Sequence, residues 1–175
     1  FQTALEMAEA LGEEGAEVAA NCRSIIPAIY LSSAKEQIKA DNFDAAVEQL
    51  GKAIEAAGKY EVPEVADDAN ALMPQVYLSK GNGFLQAKNF PEAEAAYKKV
   101  LELDATNGMA YFRLGQVLAS QNKVAEAEAA YRKQNPLYSV LQPSGAKGNA
   151  CIGYANYADT ARVNKYLNMP QIKAL

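Results

Sequence analysis

The chain has 175 residues and a net charge of −4, and it contains no histidine and no tryptophan although half of its residues are apolar. Without histidine it cannot hold a Ser-His-Asp triad, a Cys-His dyad or an imidazole metal ligand. Its two cysteines, Cys22 and Cys151, are too few for a thiolate zinc site. The acidic balance argues against a nucleic-acid-binding protein, and the length suits one compact domain or a short repeat array.

The sequence contains no apolar run of about 18 residues, so we expect no transmembrane span. No secretory signal peptide is visible at Phe1, and the missing initiator methionine indicates a fragment or a mature form. The loss of a targeting segment is an alternative that stays open. A disulfide between Cys22 and Cys151 is an alternative, but we expect two small buried side chains.

The chain opens with an amphipathic stretch from Phe1 to Leu11, which predicts a short helix. Apolar residues then recur from Val18 to Ile38 at spacings that alternate between three and four, which is the pattern of a helix stripe. This stripe runs through Pro27, and a proline can either open a new helix or bend a continuous one. Because the stripe is unbroken, we favour one helix of about 24 residues that is kinked at Pro27.

The same pattern returns 47 residues later without a gap, where Pro27–Ser32 is matched by Pro74–Ser79. A further copy follows at an offset of 34, where Glu92–Lys99 is matched by Glu126–Lys133. The chain therefore contains internal repeats. A second long helix is predicted to pass through Pro74 and to begin with Pro63 in its first turn.

Polar and glycine-containing segments separate the predicted helices. We expect three tight turns, at Asn42-Phe43, Asn89-Phe90-Pro91 and Asn122-Lys123. Other segments are expected to end or link helices, namely Gly58, Gly108 and Thr106-Asn107.

Two glycines in equivalent repeat positions, Gly81 and Gly115, predict a close approach between helices, with Ala93 and Ala127 as the small residues opposite them. Tyr97 and Tyr131 are expected to fill the space between successive helix pairs. Core positions are predicted for five tyrosines: Tyr30, Tyr77, Tyr97, Tyr111 and Tyr131.

Residues 136–175 differ in composition from the rest, with one acid and four bases. They begin with turn-forming residues, and a helix is expected within 152–167. We interpret this segment as a cap on the helical array. The alternative is that this basic, tyrosine-rich segment folds back across the acidic remainder.

The best copy contains Tyr111-x2-Leu114-Gly115-x2-Leu118 and then Ala127-x3-Tyr131, which resembles the tetratricopeptide repeat. The preceding copy departs from that repeat at Lys80, where leucine is usual, and at Ala105, where proline is usual. The resemblance covers about 1–135 and implies an all-α, right-handed α-solenoid of antiparallel helix hairpins. It divides the chain into a partial repeat (1–16), repeats at about 17–60, 61–107 and 108–135, and a C-terminal loop and helical cap (136–175).

In this family the first helix of each pair lines a concave groove that binds an extended or helical segment of another protein. The resemblance therefore implies a scaffold without catalysis, cofactor or metal, whose partner is a protein or peptide and not a nucleic acid or a membrane. The long helices with internal prolines resemble extracytoplasmic bacterial members, which favours a periplasmic location. The implied groove residues are Leu31, Ser32, Lys35, Lys39, Leu78, Ser79, Asn82, Gln86, Phe112, Arg113, Gln116 and Ser120.

Asn82 and Arg113 fall where co-chaperone members of the family place the asparagine and arginine of a carboxylate clamp. The remaining bases of that clamp are lysines in those members, whereas this chain has Gln75, Leu78 and Met109 there. We therefore do not expect a receptor for chaperone tails.

Two other functions stay open from the sequence. The chain could be a self-assembling module in which the basic tail of one copy docks on the acidic array of another, which high salt would weaken. It could also be the substrate-handling or small-ligand-handling domain of a larger protein, which would require a deep and partly apolar pocket.

Overall fold

The computed structural model describes residues 1–134, and within this range the chain is helical apart from short turns. The expected cap in 136–175 and Cys151 lie outside the described residues. The all-α class and the helix hairpins that the sequence predicts are confirmed for the described part. The elements are α1 (Gln2–Ala10), a 3-10 turn (Gly12–Gly15), α2 (Ala16–Lys39), α3 (Phe43–Tyr60), α4 (Pro63–Gln86), α5 (Phe90–Leu103), α6 (Gly108–Ser120) and α7 (Val124–Gln134).

The described residues divide into two compact units, Phe1–Thr106 and a second that begins at Asn107. In the first unit α1 packs on α2, α2 on α3, α3 on α4, and α4 on α5. In the second unit α6 packs on α7. Short turns therefore join helices into hairpins, namely α2–α3, α4–α5 and α6–α7.

The two long helices run through their prolines as predicted. Both α2 and α4 have 24 residues, with Pro27 and Pro74 in their interiors, and Pro63 lies in the first turn of α4. The proline is tolerated because apolar residues on both sides of it are held in the core, including Ile26 and Leu31 in α2. The kink itself stays a prediction.

The turns inside the hairpins repeat with the sequence. Asp41, Lys88 and Asn122 each adopt a left-handed backbone conformation, with φ of 56°, 58° and 61°. In each turn the following backbone N–H donates to a carbonyl of the preceding helix, for example from Asn42 to Gln37 at 2.9 Å. This is the geometry of a Schellman-type helix end, and it confirms the turn positions that the sequence predicts.

The expected helix end at Gly58 is wrong. Gly58 lies inside α3, which continues to Tyr60 and ends where Glu61 takes a left-handed conformation. Buried Ala56 and Ala57 hold this last turn against the core, and one glycine near a helix end costs only about 1 kcal/mol. Asn107, in contrast, does begin a helix, because its side-chain Oδ1 accepts a hydrogen bond of 3.0 Å from the backbone N–H of Ala110.

The close approach at the repeat glycines is confirmed, but the residue opposite them is the tyrosine. A Cβ placed on Gly81 would lie 2.7 Å from Cε1 of Tyr97, and one on Gly115 would lie 2.5 Å from Cε1 of Tyr131. Each tyrosine thus packs against the glycine of its own hairpin, which corrects the expectation that it fills the space between pairs.

The five tyrosines that the repeat assigns to the core differ in burial. Tyr97 and Tyr131 are buried, whereas Tyr30, Tyr77 and Tyr111 are half-buried. A tyrosine on a second helix fills the gap that a glycine leaves opposite it. A tyrosine on a first helix keeps one edge at the surface.

Two apolar clusters form the core of the first unit. One joins α2, α3 and α4 through residues such as Ala34, Leu50 and Val76. The other joins α1, α2 and the end of α3 through residues such as Leu5 and Ile26. Cys22 belongs to this second cluster, in agreement with its interpretation as a small buried side chain.

Candidate binding groove

The groove residues predicted on α2 do not all reach the surface. Ser32, Lys35 and Lys39 are exposed, and Nζ of Lys35 lies 3.9 Å from a carboxylate oxygen of Asp68 in α4. Leu31 is instead buried in the cluster that joins α2 to α3 and α4. The apolar stripe of α2 is wide enough to contact both α3 and α4, and Leu31 lies within it. Leu31 is therefore unavailable to a partner.

On α4 the predicted residues are less exposed than on α2. Leu78, Ser79 and Asn82 are half-buried, and Gln86 is exposed. Asn82 has a role inside the hairpin, because its Oδ1 accepts a hydrogen bond of 2.8 Å from the hydroxyl of Tyr97. That bond fixes the orientation of the Asn82 side chain. α2 and α4 contact each other, so the first unit places these two sets of residues on adjacent helices.

On α6 the predicted residues form a connected group. Nη1 of Arg113 donates a hydrogen bond of 3.0 Å to Oε1 of Gln116, and the guanidinium carbon lies 5.9 Å from the centre of the Phe112 ring. The hydroxyl of Ser120 donates to the backbone oxygen of Gln116 at 2.9 Å. The phenyl ring of Phe112 in turn packs near the Tyr131 ring, with centroids 6.1 Å apart.

Arg113 is the least satisfied polar side chain of this group. Its Nε is buried and has no hydrogen-bond partner, and no carboxylate among residues 1–134 forms an ion pair with its guanidinium. A half-buried cation without an anion keeps part of its desolvation cost uncompensated. An external carboxylate would supply the missing counter-charge to the guanidinium.

The sequence interpretation missed a different feature, which lies around Lys80. One surface cavity of about 480 Å³ is lined by the α2–α3 turn and by Phe43, Asp44, Lys80 and Phe84, and a second of about 340 Å³ shares Lys80 and Phe84. Lys80 pairs with Asp44, and its ammonium lies 5.7 Å from the Phe84 ring centre. The departure from leucine at this repeat position was the signal that could have located it. Neither cavity is lined by a predicted groove residue.

Three side chains with shifted pKa values lie outside the predicted groove. A hydrogen bond from Lys52 and its charge hold the pKa of Glu48 below its usual value, and the same pair raises the pKa of Lys52. Glu102 likewise raises the pKa of Lys99. These are exposed ion pairs on single helices, so their shifts do not point to a catalytic site.

Within residues 1–134 no group of three or more cysteine, aspartate or glutamate side chains is arranged to hold a metal ion. No helix in that same range combines the length and the apolar character that crossing a bilayer requires.

Comparison with known proteins finds a family model that matches part of the chain. Residues 78–135 match the model of the tetratricopeptide repeat family. Among solved structures the chain is similar to the TPR domain of Arabidopsis OM64, with 22% identity, a TM-score of 0.38, and coverage of 82% of this chain and 98% of that chain. No curated protein sequence matches.

Proposed function

We propose that this chain, a tetratricopeptide repeat protein, is a non-catalytic scaffold that binds an acidic segment of another protein on the first helices of its hairpins. The family supports protein binding in general. The charge of the partner is inferred from the predicted groove residues of this chain. These residues include three cations (Lys35, Lys39 and Arg113) and no aspartate or glutamate, although the whole chain is acidic.

The observation that carries the proposal is the state of Arg113. Its guanidinium is held in one direction by Gln116, lies beside the Phe112 ring, and keeps a buried Nε without an acceptor. A planar guanidinium that is fixed in this way is suited to a carboxylate that accepts two parallel hydrogen bonds. The entropy cost of orienting the side chain has already been met by its neighbours, which favours binding.

The first unit contributes a basic surface of its own. Lys35 and Lys39 are exposed on α2, and the closest carboxylate to Lys35 is Asp68 at 3.9 Å, the limit of an ion pair. Such exposed lysines add long-range attraction and faster association more than they add affinity. The acidic segment is therefore expected to bind with a marked dependence on salt.

The test compares two arginines of the second unit. The full chain is immobilised as wild type, Arg113→Gln and Arg132→Gln, and each form captures proteins from a lysate of the source cell at low and moderate salt. Arg132 is a matched control, because it lies on α7 in an exposed ion pair of 2.5 Å with Glu128 and its loss removes the same charge.

We expect wild type and Arg132→Gln to enrich the same protein, and Arg113→Gln to bind it about 10-fold more weakly, because a charge-assisted hydrogen bond contributes about 1.5–3 kcal/mol. Equal capture by all three forms would exclude Arg113 from the binding surface. Recovery of the chain alone would favour self-assembly over the scaffold.

A further inference from the structure

The larger of the two cavities beside Lys80 lies between α4 and the start of α3. We name it the α3–α4 cavity, and its volume of about 480 Å³ is in the range of ligand pockets. Its aromatic and charged walls are Phe43, Phe84, Asp41, Asp44 and Lys80. All of these residues belong to the first unit, and none of them is a predicted groove residue. The cavity is therefore a surface separate from the one in the proposed function.

The walls of the α3–α4 cavity contain one more carboxylate than they contain cations. Lys80 pairs with Asp44, whose side chain is 85% exposed. No lysine or arginine among residues 1–134 forms an ion pair with Asp41. A carboxylate that lines a cavity without a counter-charge attracts a cation. One positive charge from outside would make the cavity neutral.

The fold does not require an acid at Asp41. This residue has the left-handed conformation of the turn after α2, and the equivalent residues of the next two hairpins are Lys88 and Asn122. The same turn thus accepts an acid, a base or an amide. Its backbone is held by the N–H of Asn42, which donates to the carbonyl of Gln37 at 2.9 Å. The Asp41 carboxylate therefore projects from a fixed backbone, and the turn alone does not explain its charge.

Two phenylalanine rings select the kind of cation. Phe43 and Phe84 line the same cavity and are both half-buried, so part of each side chain stays accessible. The Lys80 ammonium already lies 5.7 Å from the centre of the Phe84 ring, a distance at which an aromatic ring attracts a cation. A guanidinium stacks on such a ring and can form two parallel hydrogen bonds with a carboxylate, whereas an ammonium is a point charge. Arginine therefore fits these walls better than lysine does.

We propose that the α3–α4 cavity binds an arginine side chain of a partner protein, which stacks on the phenylalanine rings and pairs with the Asp41 carboxylate. Lys80 competes with this arginine, because its ammonium is already beside the Phe84 ring and paired with Asp44. The match to the tetratricopeptide repeat supports protein binding in general, so the arginine is assigned to another protein. The chain thus offers this cavity to a basic residue and its predicted groove to an acidic segment.

The probe is a short synthetic peptide of glycine and serine with one central arginine. A second peptide has lysine in that place, and a third has glutamate. Amide chemical shifts of the isotope-labelled full chain, followed by NMR, measure weak binding and locate it. We expect the arginine peptide to shift the amides of Asp41–Ala45 and Gly83 and to bind at least about 3-fold more tightly than the lysine peptide. The glutamate peptide should leave these amides unchanged.

Removal of one carboxylate tests the acceptor. Asp41→Asn deletes the charge and keeps a residue that tolerates the left-handed backbone, so the arginine peptide should bind about 5-fold more weakly. Glu61→Gln is the matched control, because Glu61 is an exposed acid with nearly the same backbone conformation, with φ of 57° against 56°. Glu61 lies at the other end of α3 and lines neither cavity, so its substitution should leave binding unchanged.

Lys80→Met is the sharper test, because it should strengthen binding. The substitution removes the competing ammonium and leaves Asp44 without its partner, so the arginine peptide should bind about 5-fold more tightly. Damage to the fold does not produce tighter binding. The repeat usually has leucine at this position, so an apolar side chain is compatible with it. Circular dichroism verifies that all variants fold.

Four results would overturn the proposal: no shift of the cavity amides, equal binding of the arginine and lysine peptides, equal effects of Asp41→Asn and Glu61→Gln, and weaker binding to Lys80→Met. Arg162→Gln in the full chain tests the source of the arginine, because Arg162 is the one arginine of residues 135–175. Tighter peptide binding to this variant, or a wild-type dimer that Asp41→Asn dissociates, would assign the cavity to the chain itself and not to a partner. None of these outcomes depends on Arg113, so failure here leaves the acidic-segment scaffold unaffected.

Discussion

Gly81 and Gly115 mark the points where the two helices of a hairpin approach most closely. Their neighbours are the rings of Tyr97 and Tyr131, which are buried, and the Tyr97 hydroxyl is fixed by its bond to Asn82. A buried ring cannot move aside for a methyl group without disturbing the core around it.

We therefore expect Gly115→Ala to destabilise the chain. A Cβ only 2.5 Å from the Tyr131 ring forces a shift, and overpacking costs about 1–3 kcal/mol, which exceeds the gain of about 1 kcal/mol in helix propensity. Gly51→Ala is the matched control, because Gly51 lies inside α3 with nothing within 4 Å of its added Cβ. The control should stabilise, as measured by denaturant unfolding. If both substitutions stabilised the chain, or both destabilised it, the explanation would be contradicted.

The sequence located these glycines and tyrosines but paired them incorrectly. An alignment of repeats gives the position of each residue along its helix, but it does not show which neighbouring helix the side chain contacts. It therefore cannot tell whether Tyr97 packs against the other helix of its own hairpin or against the next helix pair. Leu31 shows the same limit, because a helical stripe predicts which side is apolar but not how far the core extends around it.

At the scale of whole helices, α2 and α4 show that an apolar stripe can override a proline. The stripe predicted both helices in full, because the burial of many side chains outweighs one lost backbone hydrogen bond. Gly58 shows the same balance, since α3 continues past it. Where packing is weak and local signals decide, at Asp41, Lys88 and Asn122, the sequence also located the turns correctly.

The two prolines should respond differently to substitution. Pro74→Ala is expected to stabilise the chain by up to about 3 kcal/mol, because proline is that much less favourable than alanine inside a helix. Pro27→Ala should stabilise the chain less, because Pro27 is fully buried. Each buried CH₂ that the substitution removes costs about 0.8 kcal/mol of stability. Thermal unfolding of both variants measures which substitution stabilises the chain more. A larger gain at Pro27 would mean that its ring contributes little to the core.

The molecule as a whole separates its charges by location. Glutamates concentrate near α1 and the start of α2, while the predicted groove residues carry lysine and arginine but no acid. A net charge of −4 for the whole chain conceals this separation. The exposure of Val18, Ile25 and Ile29 on α2 could not be inferred from sequence either, because the apolar stripe of α2 matches the one that α4 buries. Only the exposed fractions of the two stripes distinguish them.

The chain contains no histidine, so the pH dependence of its stability must come from other side chains. The lowered pKa of Glu48 contributes stability above about its usual value of 4.5, and this contribution is lost as pH falls. The raised pKa values of Lys52 and Lys99 contribute below 10.5, and that contribution is lost only as pH rises through them. We therefore expect the midpoint of thermal unfolding to stay constant between about pH 5.5 and 7, and to fall below about pH 4.5. Melting followed by circular dichroism at fixed ionic strength tests this. A midpoint that moves by several degrees between pH 5.5 and 7 would reveal a carboxylate whose pKa is raised by burial.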